Sequence, residues 1–249
     1  MNYFKISRRN KQIYQNGAYT TENDVKIDIA ELSSRVRNTL HKEITLAPEL
    51  KRKKAFRIET STMRCSTIEC ILRLRRDGFS GNITALNFAN AFMPGGAYIL
   101  GGNAQEESLC RASTLYYELR KCMEIYWHNR LRLSPLYSDY MIYSRNVPII
   151  SDDSGKLLEK PYTASFLTSP AVNRSFARFI CPQSKINRVM ETRIKKLVSL
   201  AVSENSDAII LGAFGCGMFG NKRKIVYPMI ENAVNTYVPD SIKVIFSVI

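Results

Sequence analysis

Asn82-Ile83-Thr84-Ala85-Leu86-Asn87-Phe88 is a short, mostly apolar run that leads into a long loop carrying Pro94-Gly95-Gly96-Ala97 and Gly101-Gly102. Gln105-Glu106-Glu107 follows at once and opens a helical pattern over residues 105–122, with Leu109, Ala112, Leu115, Tyr116 and Leu119 on one face. A brief apolar run bounded by turn residues reads as a buried strand, and the 3.6-residue spacing beyond it reads as a helix. Strand, glycine loop and helix in succession form the building unit of an α/β sheet.

The same unit recurs near the C-terminus. Residues 207–211 form an apolar run, Gly212-Ala213-Phe214-Gly215-Cys216-Gly217-Met218-Phe219-Gly220 follows, and residues 223–237 have helical periodicity. A last apolar strand is expected over 242–248. Before the first unit, residues 67–76 predict a helix closed by Gly78, a residue suited to the position after a helix. Residues 140–143 and 164–167 predict strands, with a turn at Asp152-Asp153-Ser154-Gly155 between them, and residues 185–203 predict an amphipathic helix. Residues 56–60 read as a short strand. In front, Ile29, Leu32, Val36, Leu40 and Ile44 recur at helical spacing and predict an amphipathic helix over residues 27–50, followed by the basic run at 51–54. Residues 1–23 are polar and weakly patterned. The alternation gives an α/β domain over residues 56–249, with an N-terminal helical extension over 1–55 packed on it.

The chain has 249 residues, 45% hydrophobic and 23% charged, the proportions of a folded globular chain. Its formal net charge of +14 suits a polyanionic partner, such as nucleic acid, an acidic membrane or a polyphosphate ligand; a general surface bias gives the same number. The six cysteines form no Cys-x-x-Cys pair, and His41 and His128 are the two histidines, so the spacing of metal ligands is missing and no metal is expected. The sequence shows neither a secretory leader nor an apolar run long enough to span a bilayer. The expectation is a monomeric intracellular protein, cytoplasmic or nuclear, with reduced thiols and no membrane attachment.

Each glycine loop sits where open α/β sheets bind ligands, beyond the carboxyl end of a strand. Glycines there let backbone N–H groups approach phosphate oxygens, and the helix beyond adds positive potential. The alternative for either loop is a plain turn. The acidic start of the helix has two readings as well. Carboxylates in a first helical turn complement the dipole. Two carboxylates beside a phosphate loop would also repel a diphosphate unless they face a sugar, where one can bind hydroxyls and the other can act as general acid on a glycosidic oxygen.

Residues 87–96, Asn-Phe-Ala-Asn-Ala-Phe-Met-Pro-Gly-Gly, followed by Gln105-Glu106-Glu107-Ser108, resemble the signature of microbial-type poly(ADP-ribose) glycohydrolases: a glycine triplet, a short spacer and Gln-Glu-Glu. Thr168-Ser169-Pro170-Ala171-Val172-Asn173 is similar to a second family segment, and residues 212–221 are similar to the family's second phosphate loop. The resemblance runs from about residue 58 to the C-terminus. It implies a macrodomain-like three-layer α/β/α sandwich with a mixed central sheet, and poly(ADP-ribose) or ADP-ribose as ligand. It implies further that Asn87, Asn90, Gly95, Gly96, Ala97 and Gln105 hold the distal ribose and a phosphate. Gly215, Cys216, Gly217 and Met218 would cradle the diphosphate, with Phe219 beside the ribose and adenine. Glu107 would be the catalytic acid and Glu106 its partner on the ribose hydroxyls, with no cofactor. The chain departs from the family's third glycine at Ala97, where a methyl group is costly if the backbone needs a positive φ. Two other functions fit the same loops: a reader that binds ADP-ribose without turnover, and a hydrolase of mono-ADP-ribose linked to protein or nucleic acid. The two adjacent carboxylates favour the polymer hydrolase, because a reader gains nothing from placing them beside a diphosphate.

Overall fold

The computed structural model describes residues 3–50 and 52–248. Met1, Asn2, Lys51 and Ile249 lie outside the described residues; they include the start of the polar N-terminal segment and the first residue of the 51–54 basic run. In chain order the elements are α1 (Tyr3–Asn16), the hairpin β1 (Ala18–Thr20) and β2 (Lys26–Asp28), α2 (Ala30–Ser34), β3 (Arg37–His41), α3 (Ile58–Ser61), β4 (Thr62–Met63), α4 (Thr67–Arg76) and β5 (Ile83–Phe88). A 3-10 turn (Tyr98–Leu100) precedes α5 (Gln105–Ala112), α6 (Leu115–Leu119), α7 (Met123–Arg132), β6 (Met141–Ser151) and β7 (Leu157–Ser169). The chain ends with α8 (Arg174–Ala177), α9 (Gln183–Ser203), β8 (Ala208–Gly212), α10 (Arg223–Tyr237) and β9 (Lys243–Ser247).

The central sheet has the order β3-β6-β7-β5-β8-β9-β4. It is mixed: β3, β6 and β7 pair antiparallel, whereas β7, β5, β8, β9 and β4 pair parallel. The strand period of two divides its side chains between two cores. On β8, Ile209 and Leu211 meet α9 and α10, represented by Ile194, Leu197, Ile230 and Val234. Ala208 and Ile210 face the other way, onto Ile68, Ile71 and Leu72 of α4 and Leu109 of α5. That division produces the α/β/α sandwich. β8 is buried along its whole length, which is why it reads as an unbroken apolar run. No helix among the described residues is long and apolar enough to cross a membrane.

The N-terminal expectation needs correction. Residues 27–50 do not form one amphipathic helix; they form β2, α2 and β3, then irregular chain. The five residues that suggested a helical stripe are shared among three cores. Ile29 and Leu32 belong with Ile13, Tyr19 and Ile150, Val36 and Leu40 pack beneath α4, and Ile44 lies against the α9–α10 side. Strand β3 pairs along its length with β6, so tertiary pairing overrides local spacing. The real N-terminal helix is α1, in the stretch that looked unpatterned. Residues 56–60 are not a strand either. Phe56 and Ile58 are pinned to α10, where Asn235 Oδ1 accepts from the Phe56 amide at 2.7 Å and Glu231 Oε1 from the Ile58 amide at 2.8 Å. The predicted helix over 105–122 breaks at Ser113, whose extended backbone bridges Ile149 of β6. Helix α4 matches expectation: Ser66 caps it by accepting from the Glu69 amide, and Gly78 follows it with φ 84°.

Candidate functional site

Strand β5 ends at the middle of the sheet, and the chain returns as α5 beside it. Gln105 fastens the two. Its Nε2 donates to the Leu86 carbonyl (2.7 Å) and to Thr67 Oγ1 (3.2 Å), and its Oε1 accepts from the Phe88 amide (2.9 Å). With both ends of its amide engaged, Gln105 works as a clamp from α5 to β5 and α4. The next two residues are thereby turned inward. Glu106 is 3% exposed and Glu107 7% exposed, which separates them from a solvated first turn.

Glu106 Oε2 accepts from the Asn90 amide at 2.7 Å, and its Oε1 from Asn87 Nδ2 at 3.3 Å. Burial pushes the Glu106 carboxyl up to about 8, against the pull of the Asn90 and Asn87 hydrogen bonds, and the neighbouring Glu107 adds to the rise. Burial thus favours the protonated form of Glu106. Asn87 is fully buried; its Nδ2 also donates to Thr168 Oγ1, and its Oδ1 has no partner among the described residues. Asn90 Oδ1 accepts from the Phe92 and Met93 amides and so shapes the start of the loop.

Glu107 is gripped by backbone. Its Oε1 accepts from the Ala97 amide and its Oε2 from the Ala104 amide, both at 2.9 Å. The Ala104 bond also caps α5, so the dipole reading and the inward placement hold together. Gly96 makes this possible. With φ 55°, it lies so close that a Cβ would stand 2.4 Å from Glu107 Oε1. A Cβ on Gly95 would strike the Tyr116 ring at 2.7 Å. Ala97, by contrast, has φ −92°, a conformation any residue adopts. Its methyl occupies room left by Gly102, where a Cβ would lie 2.7 Å from it. The departure from the glycine triplet is thus absorbed locally.

The second loop leaves β8 and turns over β7. Gly215 has φ 68°, and a Cβ there would sit 2.5 Å from that of Ala171. Asn221 ties the loop down by donating to the Val172 carbonyl at 2.7 Å and the Gly215 carbonyl at 3.1 Å. The backbone amides of Gly217, Met218 and Phe219 have no acceptor among the described residues. Met218 is exposed, and Cys216 is half-buried with its thiol pushed up by burial. Phe219 packs on Tyr137 with ring centroids 5.8 Å apart, and Tyr137 meets Phe92 of the first loop edge-on at 5.4 Å. Nothing in the local pattern marks Tyr137. It has φ 55°, rare for an aromatic residue, and Arg193, fully buried in α9, holds that turn. Arg193 donates to the carbonyls of Pro170 (2.9 Å), Leu136 (2.8 Å) and Tyr137 (3.3 Å) and pairs with Asp139 at 3.0 Å. Beside the paired loops runs a cleft of about 1040 Å³, reached by Thr67, Phe88, Gln105, Ala213, Arg223 and Tyr227. Of these, sequence reasoning singled out Gln105 alone as a site residue. Arg223 follows the second glycine loop directly, and that adjacency was the available signal.

The model of the family described as microbial-type PARG, catalytic domain, matches residues 7–152, more than half the chain. The chain belongs to this family. Its match begins within α1, well before residue 58. A structure of poly(ADP-ribose) glycohydrolase (PARG) from Thermomonospora curvata is 30% identical, with a TM-score of 0.83 over 99% of this chain and 93% of that one. The same enzyme bound to the inhibitor ADP-HPD gives 28% identity and a TM-score of 0.82 over 99% and 92%. PARG from Deinococcus radiodurans in complex with ADP-ribose gives 27% and 0.69 over 88% of each chain. A search of the curated proteins finds no match. The microbial PARG fold is thus shared along almost the entire length, both glycine loops included.

Proposed function

We propose that this chain hydrolyses the ribose–ribose O-glycosidic bond of poly(ADP-ribose) and releases ADP-ribose, with Glu107 as general acid and base. One observation carries the assignment: two inward carboxylates, held by backbone amides and with no ion pair among the described residues, stand at the end of β5 next to an amide-lined loop. The second loop receives the diphosphate on the amides of Gly217, Met218 and Phe219, and the cleft lined by Phe88 and Tyr227 receives the base. Glu106, protonated, and Asn87, with its unpartnered Oδ1, hold the hydroxyls of the distal ribose. Glu107 then gives a proton to the departing ribose oxygen as the anomeric carbon gains oxocarbenium character, and takes one back from the attacking water. The diphosphate lies near enough to stabilise that positive charge.

Family membership supports this activity, as do the neighbours solved with ADP-ribose and with ADP-HPD. The test is ADP-ribose release from purified polymer, followed by chromatography. Glu107→Gln is expected to lower release by about 10³-fold, within the usual range for a general acid, and to keep ADP-ribose binding. A wild-type chain that binds ADP-ribose and releases none would make it a reader. Full activity in the Glu107→Gln variant would move the acid elsewhere.

A further inference from the structure

We infer that the exposed face of α1, with the 3-10 turn beneath it, is a binding track for the part of the polymer that stays behind after cleavage. The inference rests on the hydrolase reading above. Helix α1 carries Lys5, Arg8, Arg9 and Lys11 and no carboxylate. Its buried face is Ile6, Asn10 and Ile13. On the opposite side Phe4, Arg8, Lys11 and Gln15 are exposed, at the spacing that places them on one stripe. Arg9 is committed to the Gly155 carbonyl at 2.7 Å, but Arg8 and Lys11 have no hydrogen bond or ion pair among the described residues. Two unpaired cations on one stripe are a binding surface for an anion.

The stripe begins at the catalytic loop. Phe4, 55% exposed, lies over Gly101, where a Cβ would meet its ring at 3.2 Å. Leu100 and Ile99 extend the apolar patch, at 65% and 52% exposure. The helix is joined to the Glu107 region through Arg111. Its guanidinium lies 4.1 Å from the Tyr3 ring and donates to the Gly102 carbonyl and to Asn103 Oδ1, and its carbonyl accepts from Asn10 at 2.7 Å. Gly102 in turn abuts Glu107: a Cβ there would stand 3.2 Å from Glu107 Cγ.

The order along the stripe fits the substrate. Beyond the scissile bond the polymer continues as an adenosine and then a diphosphate. The first group is an aromatic base, suited to Phe4 and Leu100, and the second is a double anion, suited to Arg8 and Lys11. Aromatic platforms interleaved with cations bind single-stranded nucleotide chains in this way. From Phe4 to Gln15 the helix runs about 16 Å, enough for one further unit of the chain.

The experiment uses the full chain with three ligands: polymer of fixed length, free ADP-ribose and a single-stranded DNA oligonucleotide. Arg8→Glu/Lys11→Glu is expected to raise KM for polymer about tenfold, the effect of losing contact to two phosphates, with kcat within about twofold and ADP-ribose affinity unchanged. Phe4→Ala is expected to act in the same direction, about threefold, as loss of one base-stacking surface. Unchanged KM and unchanged polymer affinity in the charge-reversed variant would overturn the track. Loss of DNA binding with polymer binding intact would reassign the stripe to nucleic acid and overturn it equally. Should the wild-type chain release no ADP-ribose, the hydrolase reading fails by itself, and polymer affinity in the same variant still decides the track.

Discussion

The two glycine loops look alike on paper and differ in what their amides hold. In the loop after β5, the amides of Asn90, Ala97 and Ala104 donate to Glu106 and Glu107. In the loop after β8, those of Gly217, Met218 and Phe219 have no acceptor within the described residues. Both are anion cradles built by the same rule, that backbone N–H groups freed by glycine bind negative charge. One is filled by the protein's own carboxylates, and the other has its amides without an acceptor among the described residues. On the function proposed above, reaction belongs to the first loop and binding to the second, and mutations on either side should separate those roles.

Among variants that separate the loops, the largest effect is expected from Gly96→Ala. The added methyl would occupy the place of Glu107 Oε1, so kcat should fall by about 10²-fold as the acid is displaced, with ADP-ribose affinity nearly kept. Equal losses in affinity and kcat would erase the division between the loops. Glu106→Gln comes next. Burial raises the Glu106 carboxyl from its ordinary value of 4.5 to about 8 in the folded state. Burying it therefore costs nothing below pH 4.5 and destabilises increasingly as pH rises toward 8. The variant should gain stability over wild type across that window, reaching a few kcal/mol at about 1.4 kcal/mol per pKa unit. Melting curves from pH 4 to 9 check this, and a pH-independent difference would show that Glu106 is not held protonated. Gly215→Ala should weaken ADP-ribose about tenfold, the cost of about 1.4 kcal/mol when the loop shifts from Ala171, with kcat at saturation unchanged. Gly217→Ala serves as its control, because a Cβ there meets nothing within 4 Å. The smallest effect is expected at Gly102→Ala, which crowds the Ala97 methyl and should lower stability by about 1 kcal/mol. Ala97→Gly in the same chain should restore it, and calorimetry of the pair would detect the coupling.

Much of this arrangement was legible in the sequence where local pattern and burial agree. Strand β8, helices α4, α9 and α10, and the loop at residues 212–220 were read close to their bounds, since each buries one clean face or two. The N-terminal segment misled because Ile29, Val36 and Ile44 have helical spacing yet serve three separate cores. Glu106 and Glu107 could be noticed as odd neighbours of a phosphate loop. Their inward turn could not be derived, because it depends on Gln105 reaching Leu86 and on the loop folding back to present Asn90 and Ala97. Tyr137 and Arg193 left no trace, since a positive φ at a tyrosine and a guanidinium wrapped by carbonyls arise only from tertiary structure.

Arg193 also bears on how a ligand would meet the second glycine loop, where Tyr137 packs on Phe219. By gripping Leu136, Tyr137, Asp139 and Pro170 from one point on α9, it joins the Tyr137 turn and the exit of β7 into a single stiff wall. A ligand docking against a wall so pinned would lose little conformational entropy. Whatever breathing the site needs falls to the opposite side, where the loop after β5 lies between its carboxylates and helix α1.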